Sequence, residues 1–168
     1  MTIRSFIISL PVLLLSLFIT GCCTCSERQN IEEARKLITN KEADCVLVKN
    51  GTIIANEKGH GLSPLLTVYE TYGDQMNGAI VVDKVVGRAA AAIAINGNVR
   101  HVHGELMSED AIEFLKEHGI PSSYTKLVPR ILNQQLDGLC PLEMSVEGIT
   151  DPAEALIALK EKIASMQK

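Results

Sequence analysis

Residues 78–95 place the apolar run Gly78-Ala79-Ile80-Val81-Val82 directly before Asp83-Lys84-Val85-Val86-Gly87-Arg88 and then four consecutive alanines, Ala89 to Ala92. A continuous apolar run of this kind reads as a strand buried on both faces. The alanines, continued by Ile93 and Ile95, read as a helix, and side chains that small let a helix press close to a sheet. The pattern predicts a strand at 78–82 and a helix over 83–95, joined without a loop. A strand buried on both sides needs cover on both sides, so this segment already commits the chain to an α/β architecture.

The flanking sequence supplies the other elements. Asn30 with Glu33 has the form of a capping box, and Ile31, Ala34, Leu37 and Ile38 follow at helical spacing. Two apolar runs, Cys45 to Lys49 and Thr52 to Ala55, are joined by Asn50-Gly51, a strong signal for a tight hairpin. A second helix is expected from Ser63 or Pro64 to about Tyr72. Val99 to Met107 alternates as a strand, and Ser108-Glu109-Asp110 caps a helix that stops at Gly119. Tyr124 to Leu132 forms a last strand whose end is disturbed by Pro129. Asp151, Pro152 and Glu154 open a final helix with Leu156, Leu159 and Ile163 as its apolar stripe. Strands alternating with helices predict parallel pairing, and the whole of 30–168 reads as one domain without internal repeats.

Ahead of that domain the character of the chain changes. The first 26 residues carry one charge, Arg4, whereas all 20 acidic residues lie beyond them. Phe6 to Ile19 is an apolar stretch, and it ends in Ile19-Thr20-Gly21-Cys22. This is the layout of a signal peptide whose ending resembles the bacterial lipobox. The resemblance implies cleavage after residue 21, acylation of Cys22, a polar tether over 22–29, and a protein held by lipid on the exported side of the cell membrane or the outer membrane. Two or more acyl chains anchor stably where one does not. An uncleaved membrane anchor is the competing reading, because the uncharged stretch is long enough to span a bilayer; Pro11 in its middle and Cys at the cleavage point favour the lipoprotein. Removing 21 residues, with one basic and no acidic side chain among them, leaves 147 residues at net charge −5. That balance excludes a general nucleic-acid binder, which needs clustered Lys and Arg. Of the remaining cysteines, Cys23 and Cys25 lie in the tether. Cys45 and Cys140 are free to pair in an exported protein, although Cys45 fits a small core residue better.

For chemistry, the junction at 83–88 is the most informative segment. Ligands of open α/β sheets bind beyond the carboxyl ends of the strands, where helix amino termini present unpaired N–H groups. On a helix starting at Asp83, Lys84 and Arg88 would share one face, and Gly87 would leave the backbone approachable, a setting for a small anionic ligand. The competing reading has Asp83 as a cap, Gly87 as a packing glycine and both basic residues in solvent. Glu57, Lys58, His60 and Ser63 form a second cluster around the Gly59-His60-Gly61 break. His101, His103 and Glu105 alternate on one strand face, which places two imidazoles together but no third metal ligand. Cys140-Pro141-Leu142-Glu143 follows an irregular stretch, and a nucleophilic Cys140 would need an activating neighbour that spacing does not reveal. No Gly-x-Ser-x-Gly, Walker or His-Glu-x-x-His pattern occurs.

Taken together, the segments CVLVKNG, GLSPL, GAIVVDKVVGRAAAAI, ELMSEDA, LVPRILN and CPLE resemble the family called domain of unknown function 1893, over about Ile31 to Gly148. The resemblance implies a three-layer α/β/α sandwich similar to the cytidine deaminase fold. Zinc deaminases carry His-x-Glu and Pro-Cys-x-x-Cys at the starts of two consecutive helices. The corresponding segments here, Gly61-Leu62-Ser63-Pro64 and Asp83 to Gly87, contain neither, so neither metal nor other cofactor is expected. What remains is a pocket built on Asp83, Lys84, Gly87 and Arg88, with Glu105, Ser108, Cys140 and Glu143 at its rim, for a small anionic or nucleotide-like ligand. An enzyme using Cys140 as nucleophile, and a structural or interaction protein without a small ligand, stay open as alternatives.

Overall fold

The computed structural model describes residues 23–167, with side chains from residue 26; Cys22 and the expected export segment lie outside the described residues. Eleven elements follow in the order α1 (Cys23–Thr39), β1 (Cys45–Lys49), β2 (Thr52–Glu57), α2 (Ser63–Met76), β3 (Ile80–Val86), α3 (Arg88–Asn96), β4 (His101–Ser108), α4 (Glu109–Glu117), β5 (Ser122–Val128), α5 (Pro141–Met144) and α6 (Pro152–Met166). The sheet order is β2-β1-β3-β4-β5. β1 runs antiparallel to both β2 and β3, whereas β3, β4 and β5 are mutually parallel, as short crossovers through α3 and α4 require. Helices cover both faces, so the expected three-layer α/β/α class is what the structure shows.

Strand alternation sorts the core. On one face Val46, Val48, Ile80 and Val82 meet Ile31, Ala34 and Ile38 of α1. On the other, Cys45, Leu47 and Val81 belong to one apolar cluster with residues of α2, α3 and α4. α3 is covered all round, with Ala89 to Ala94 buried between the sheet, α2, α4 and α6. That explains its composition: a helix enclosed on every side is apolar on every side, and alanine keeps the neighbouring axes close. No helix among the described residues is long and apolar enough to cross a membrane.

Several local expectations hold in detail. Asn50 and Gly51 both take positive φ, 51° and 78°, which the tight hairpin demands. Ser108 Oγ accepts from the Ala111 N–H at 3.2 Å as the cap of α4. Asp151 Oδ1 accepts from the Ala153 and Glu154 N–H groups at 2.7 and 3.0 Å as the cap of α6.

Several boundaries differ, among them the last strand, which covers Ser122–Val128 rather than Tyr124 to Leu132 and stops before Pro129. α1 already includes residues 23–29, expected as tether, so Asn30 lies inside the helix and the expected capping box does not form there. The extra turns are tied to the sheet by Glu27, which pairs with Arg100 at 3.1 Å and lies 3.6 Å from His101, whose protonated form burial disfavours. α2 kinks at Tyr72, its expected end, and resumes to Met76; Gly73 follows the kink, a residue that weakens a helix at that point. β3 continues through Val86, and α3 begins only after Gly87. Val85 and Val86 are β-branched and pair with Leu106 and Met107 of β4, which outweighs the apparent cap at Asp83.

Candidate functional site

Because β3 runs past Asp83, Asp83 and Lys84 point to opposite sides of the sheet. Asp83 shares the face of Val81 and looks toward the helices, while Lys84 shares the face of Val82 and is exposed. Lys84 Nζ pairs with Asp44 at 3.0 Å. The expectation that Lys84 and Arg88 share one helix face is therefore corrected: one lies on a strand, the other opens a helix.

Arg88 also turns away from any external anion. One guanidinium nitrogen donates to the Ile149 carbonyl at 2.7 Å, and the group stacks 4.1 Å above the Phe114 ring. Its Nε is buried and has no hydrogen-bond partner among the described residues. The amino terminus of α3 is likewise taken. Glu143, carried in by the short α5, accepts from the Arg88 N–H at 2.7 Å and from the Ala89 N–H at 3.2 Å. This carboxyl does to α3 what an external anion does at other helix starts: it meets unpaired donors at the positive end of the dipole. Gly87 makes the approach possible, because a Cβ there would collide with the Glu143 carboxyl. Burial pushes the Glu143 carboxyl up despite these two donors.

Beneath this junction lies a cleft of about 690 Å³. Asp83, Lys84, Gly87, Cys140 and Glu143 line it, so five of the expected site residues come together. The other three do not. Arg88 and Ser108 flank a separate small hollow behind Glu143. Glu105 lies on the α1 face, held by Arg35. His60, from the loop before α2, also lines the cleft, and so do Asp44 and Asn133, Gln134 and Gln135, which sequence reasoning did not place there. Asp44 is fixed by the Gly59 N–H at 3.1 Å and by Lys84, contacts that no local motif announces. The amides lie in an irregular stretch without a recognisable pattern.

Asp83 is the chemically distinctive group. Its side chain is buried, and burial raises its pKa to about 7, against the pull of the Val85 N–H and the Cys45 thiol beside it. Cys45 stands opposite Asp83 across the β1–β3 pair. Burial and the Asp83 charge push that thiol up, so it stays an S–H group and a donor. Asp83 is thus a carboxyl that exchanges its proton near neutral pH while facing a cleft, able to accept a hydrogen bond in one form and donate one in the other. Cys45 and Cys140 are both free. Cys140 is half-buried at the start of α5, and among the described residues no side chain is hydrogen-bonded to its thiol.

Zinc does not fit here. The two helix starts carry Leu62-Ser63 and Gly87-Arg88, with no thiolate, and the donors of α3 face Glu143. His101 Nε2 and His103 Nδ1, which share a strand face as expected, meet the Ser123 hydroxyl at 2.9 and 2.8 Å. Among the described residues no group of three or more His, Cys, Asp or Glu side chains is arranged to hold a metal ion.

A search of curated proteins finds no match. Among solved structures, the chain is similar to a DUF1893 family protein from Thermotoga maritima, at 27% identity and a TM-score of 0.73, covering 80% of this chain and 90% of that one. Weaker matches are a dCMP deaminase from the cyanophage S-TIM5, at 14% identity and TM-score 0.44 over 61% of this chain and 98% of that one, and a Thermotoga maritima diaminohydroxyphosphoribosylaminopyrimidine deaminase/5-amino-6-(5-phosphoribosylamino)uracil reductase, at 16% identity and TM-score 0.46 over 71% and 41%. The family model for the domain of unknown function DUF1893 matches residues 33–163, nearly the whole described domain, and the chain belongs to that family.

Proposed function

We propose that this is a lipid-anchored envelope protein whose DUF1893 domain binds a small anionic or nucleotide-like ligand in the cleft over Asp83, without zinc. The observation that carries the reading is the cleft itself: about 690 Å³, with the buried Asp83 carboxyl among its lining groups. A space of that size suits a small molecule. Its walls, including Leu62, Val85 and Leu142, are largely apolar, and its polar lining residues include Asp83, His60, Gln134 and Gln135. Such a site favours a mostly uncharged body with N–H and carbonyl groups. The anionic part of the ligand cannot use the α3 terminus while Glu143 fills it.

A thermal-shift screen of nitrogen heterocycles, with and without phosphate groups, tests this. Binders are expected for the wild-type protein and are expected to be lost in Leu62→Trp, whose indole fills the cleft. Binders that survive the substitution unchanged would remove the cleft from consideration. The anchor rests on Ile19-Thr20-Gly21-Cys22. Mass spectrometry of protein purified from membranes is expected to show an acylated amino-terminal Cys22; an intact Met1 would overturn that part.

A further inference from the structure

The sheet face opposite Asp83 carries a second hollow of about 540 Å³, bounded by the end of α1, the loop after β2, and Lys84. It shares Asp44, Gly59, His60 and Lys84 with the cleft, so the two hollows meet along that rim. Its character is different. Lys41, Lys58 and Lys84 all line it.

The fold holds these lysines together. Lys41 occupies the turn after α1 with a left-handed φ of 62°. Lys58 Nζ donates to the Lys41 carbonyl at 2.7 Å. Two carboxylates reach the hollow. Asp44 is held below its ordinary range, chiefly by the Gly59 N–H and also by Lys84 and Lys58, so it is ionised and offsets one lysine. Glu105 is bonded to Arg35. Three lysines therefore line the hollow against two carboxylates, of which Glu105 is already neutralised by Arg35, in a chain whose net charge is −4. A positive hollow in an acidic protein concentrates anions locally, and folding does not require one.

We propose that this hollow is an anion subsite that takes a phosphate group among Lys41, Lys58 and Lys84, which makes the ligand a soluble phosphorylated small molecule whose uncharged body lies in the adjoining cleft. The inference rests on the cleft reading and moves the anion from the α3 terminus, which Glu143 occupies, to the far side of the Gly59–Lys84 rim. A lipid headgroup would offer the same phosphate chemistry, so the source has to be separated by experiment.

Isothermal titration of the full-length protein in neutral detergent with inorganic pyrophosphate is the test. The double substitution Lys41→Ala/Lys58→Ala is expected to weaken binding about tenfold or more, as removal of charge-assisted contacts does. Lys41→Arg/Lys58→Arg is expected to keep it, and Leu62→Trp is expected to leave pyrophosphate binding intact while losing the heterocycles. That combination separates the two claims: heterocycle binding lost only in Leu62→Trp belongs to the cleft, pyrophosphate binding lost only in the lysine variant belongs to the subsite. Pyrophosphate that fails to bind, or binds equally to the alanine variant, would overturn the subsite. Phosphatidylglycerol vesicles, compared with phosphatidylcholine vesicles, are expected not to displace pyrophosphate; displacement by the anionic vesicles alone would overturn the soluble source.

Discussion

Replacing Asp83 by Asn is expected to stabilise the domain at pH 8 and to flatten its stability between pH 5 and pH 8. In the folded protein the carboxyl has a pKa of about 7, raised from 3.8 by burial. A carboxylic acid whose folded value lies above its unfolded value binds its proton more tightly when folded. Its stabilising share is therefore fully present below about pH 4 and is lost as the pH climbs toward 7. At about 1.4 kcal/mol per unit, the loss reaches up to about 4 kcal/mol. Asn keeps an oxygen for the Val85 N–H, which Asp83 Oδ1 accepts at 2.9 Å, and never ionises. Urea denaturation across the pH range measures both stabilities. A variant that is less stable than wild type at pH 8, with the slope intact, would place the charge penalty elsewhere. The same substitution removes the exchangeable proton facing the cleft, so gain of stability with loss of ligand is the expected pairing, as at other strained functional positions.

Glu143→Ala is expected to cost about 2 to 3 kcal/mol, because it removes two charge-assisted bonds and strands the Arg88 and Ala89 N–H groups at a part-buried helix start. Glu143→Gln keeps one acceptor oxygen and is expected to cost about 1 kcal/mol. Gly87→Ala acts through the same contact, since its Cβ displaces the Glu143 carboxyl. The double variant Gly87→Ala/Glu143→Ala is therefore expected to be no worse than Glu143→Ala alone, a coupling that thermal denaturation of the cycle reads directly. Additive losses would show that Gly87 matters for some other reason. Burial raises Glu143 as it raises Asp83, so the two carboxyls push the pH dependence the same way: stability falls as the pH rises toward neutrality.

These contacts show which parts of the molecule can be read from the chain. The hairpin at Asn50-Gly51, the caps at Ser108 and Asp151, and the alanine helix all declare themselves within a few residues, because the physics that makes them is local. The α/β class follows from the same signals. Asp83 to Val86 misleads because a cap residue and a glycine lie close to two valines, and only the pairing of Val85 and Val86 with Leu106 and Met107 decides between helix and strand. The site is less legible. Asp83, Lys84 and Gly87 are found from their place at the carboxyl end of a strand. The capping partner of Gly87 and Arg88, however, lies 55 residues along the chain from Arg88, and Asp44 lies 40 residues from the lysine it pairs with. Arg88 looks like an anion-binding residue until Phe114 and the Ile149 carbonyl claim it. Pairings set by tertiary packing leave no trace in spacing.

The proton on Asp83 can be followed by itself. Titration of the protein labelled with ¹³C at aspartate carboxyls, with Asp83→Asn to assign the resonance, reports its midpoint directly. A midpoint near 7 is predicted, moving when a cleft ligand binds. A midpoint near 4, unmoved by any ligand, would show an ordinary solvated carboxylate and contradict the assignment of the cleft over Asp83 as a ligand site.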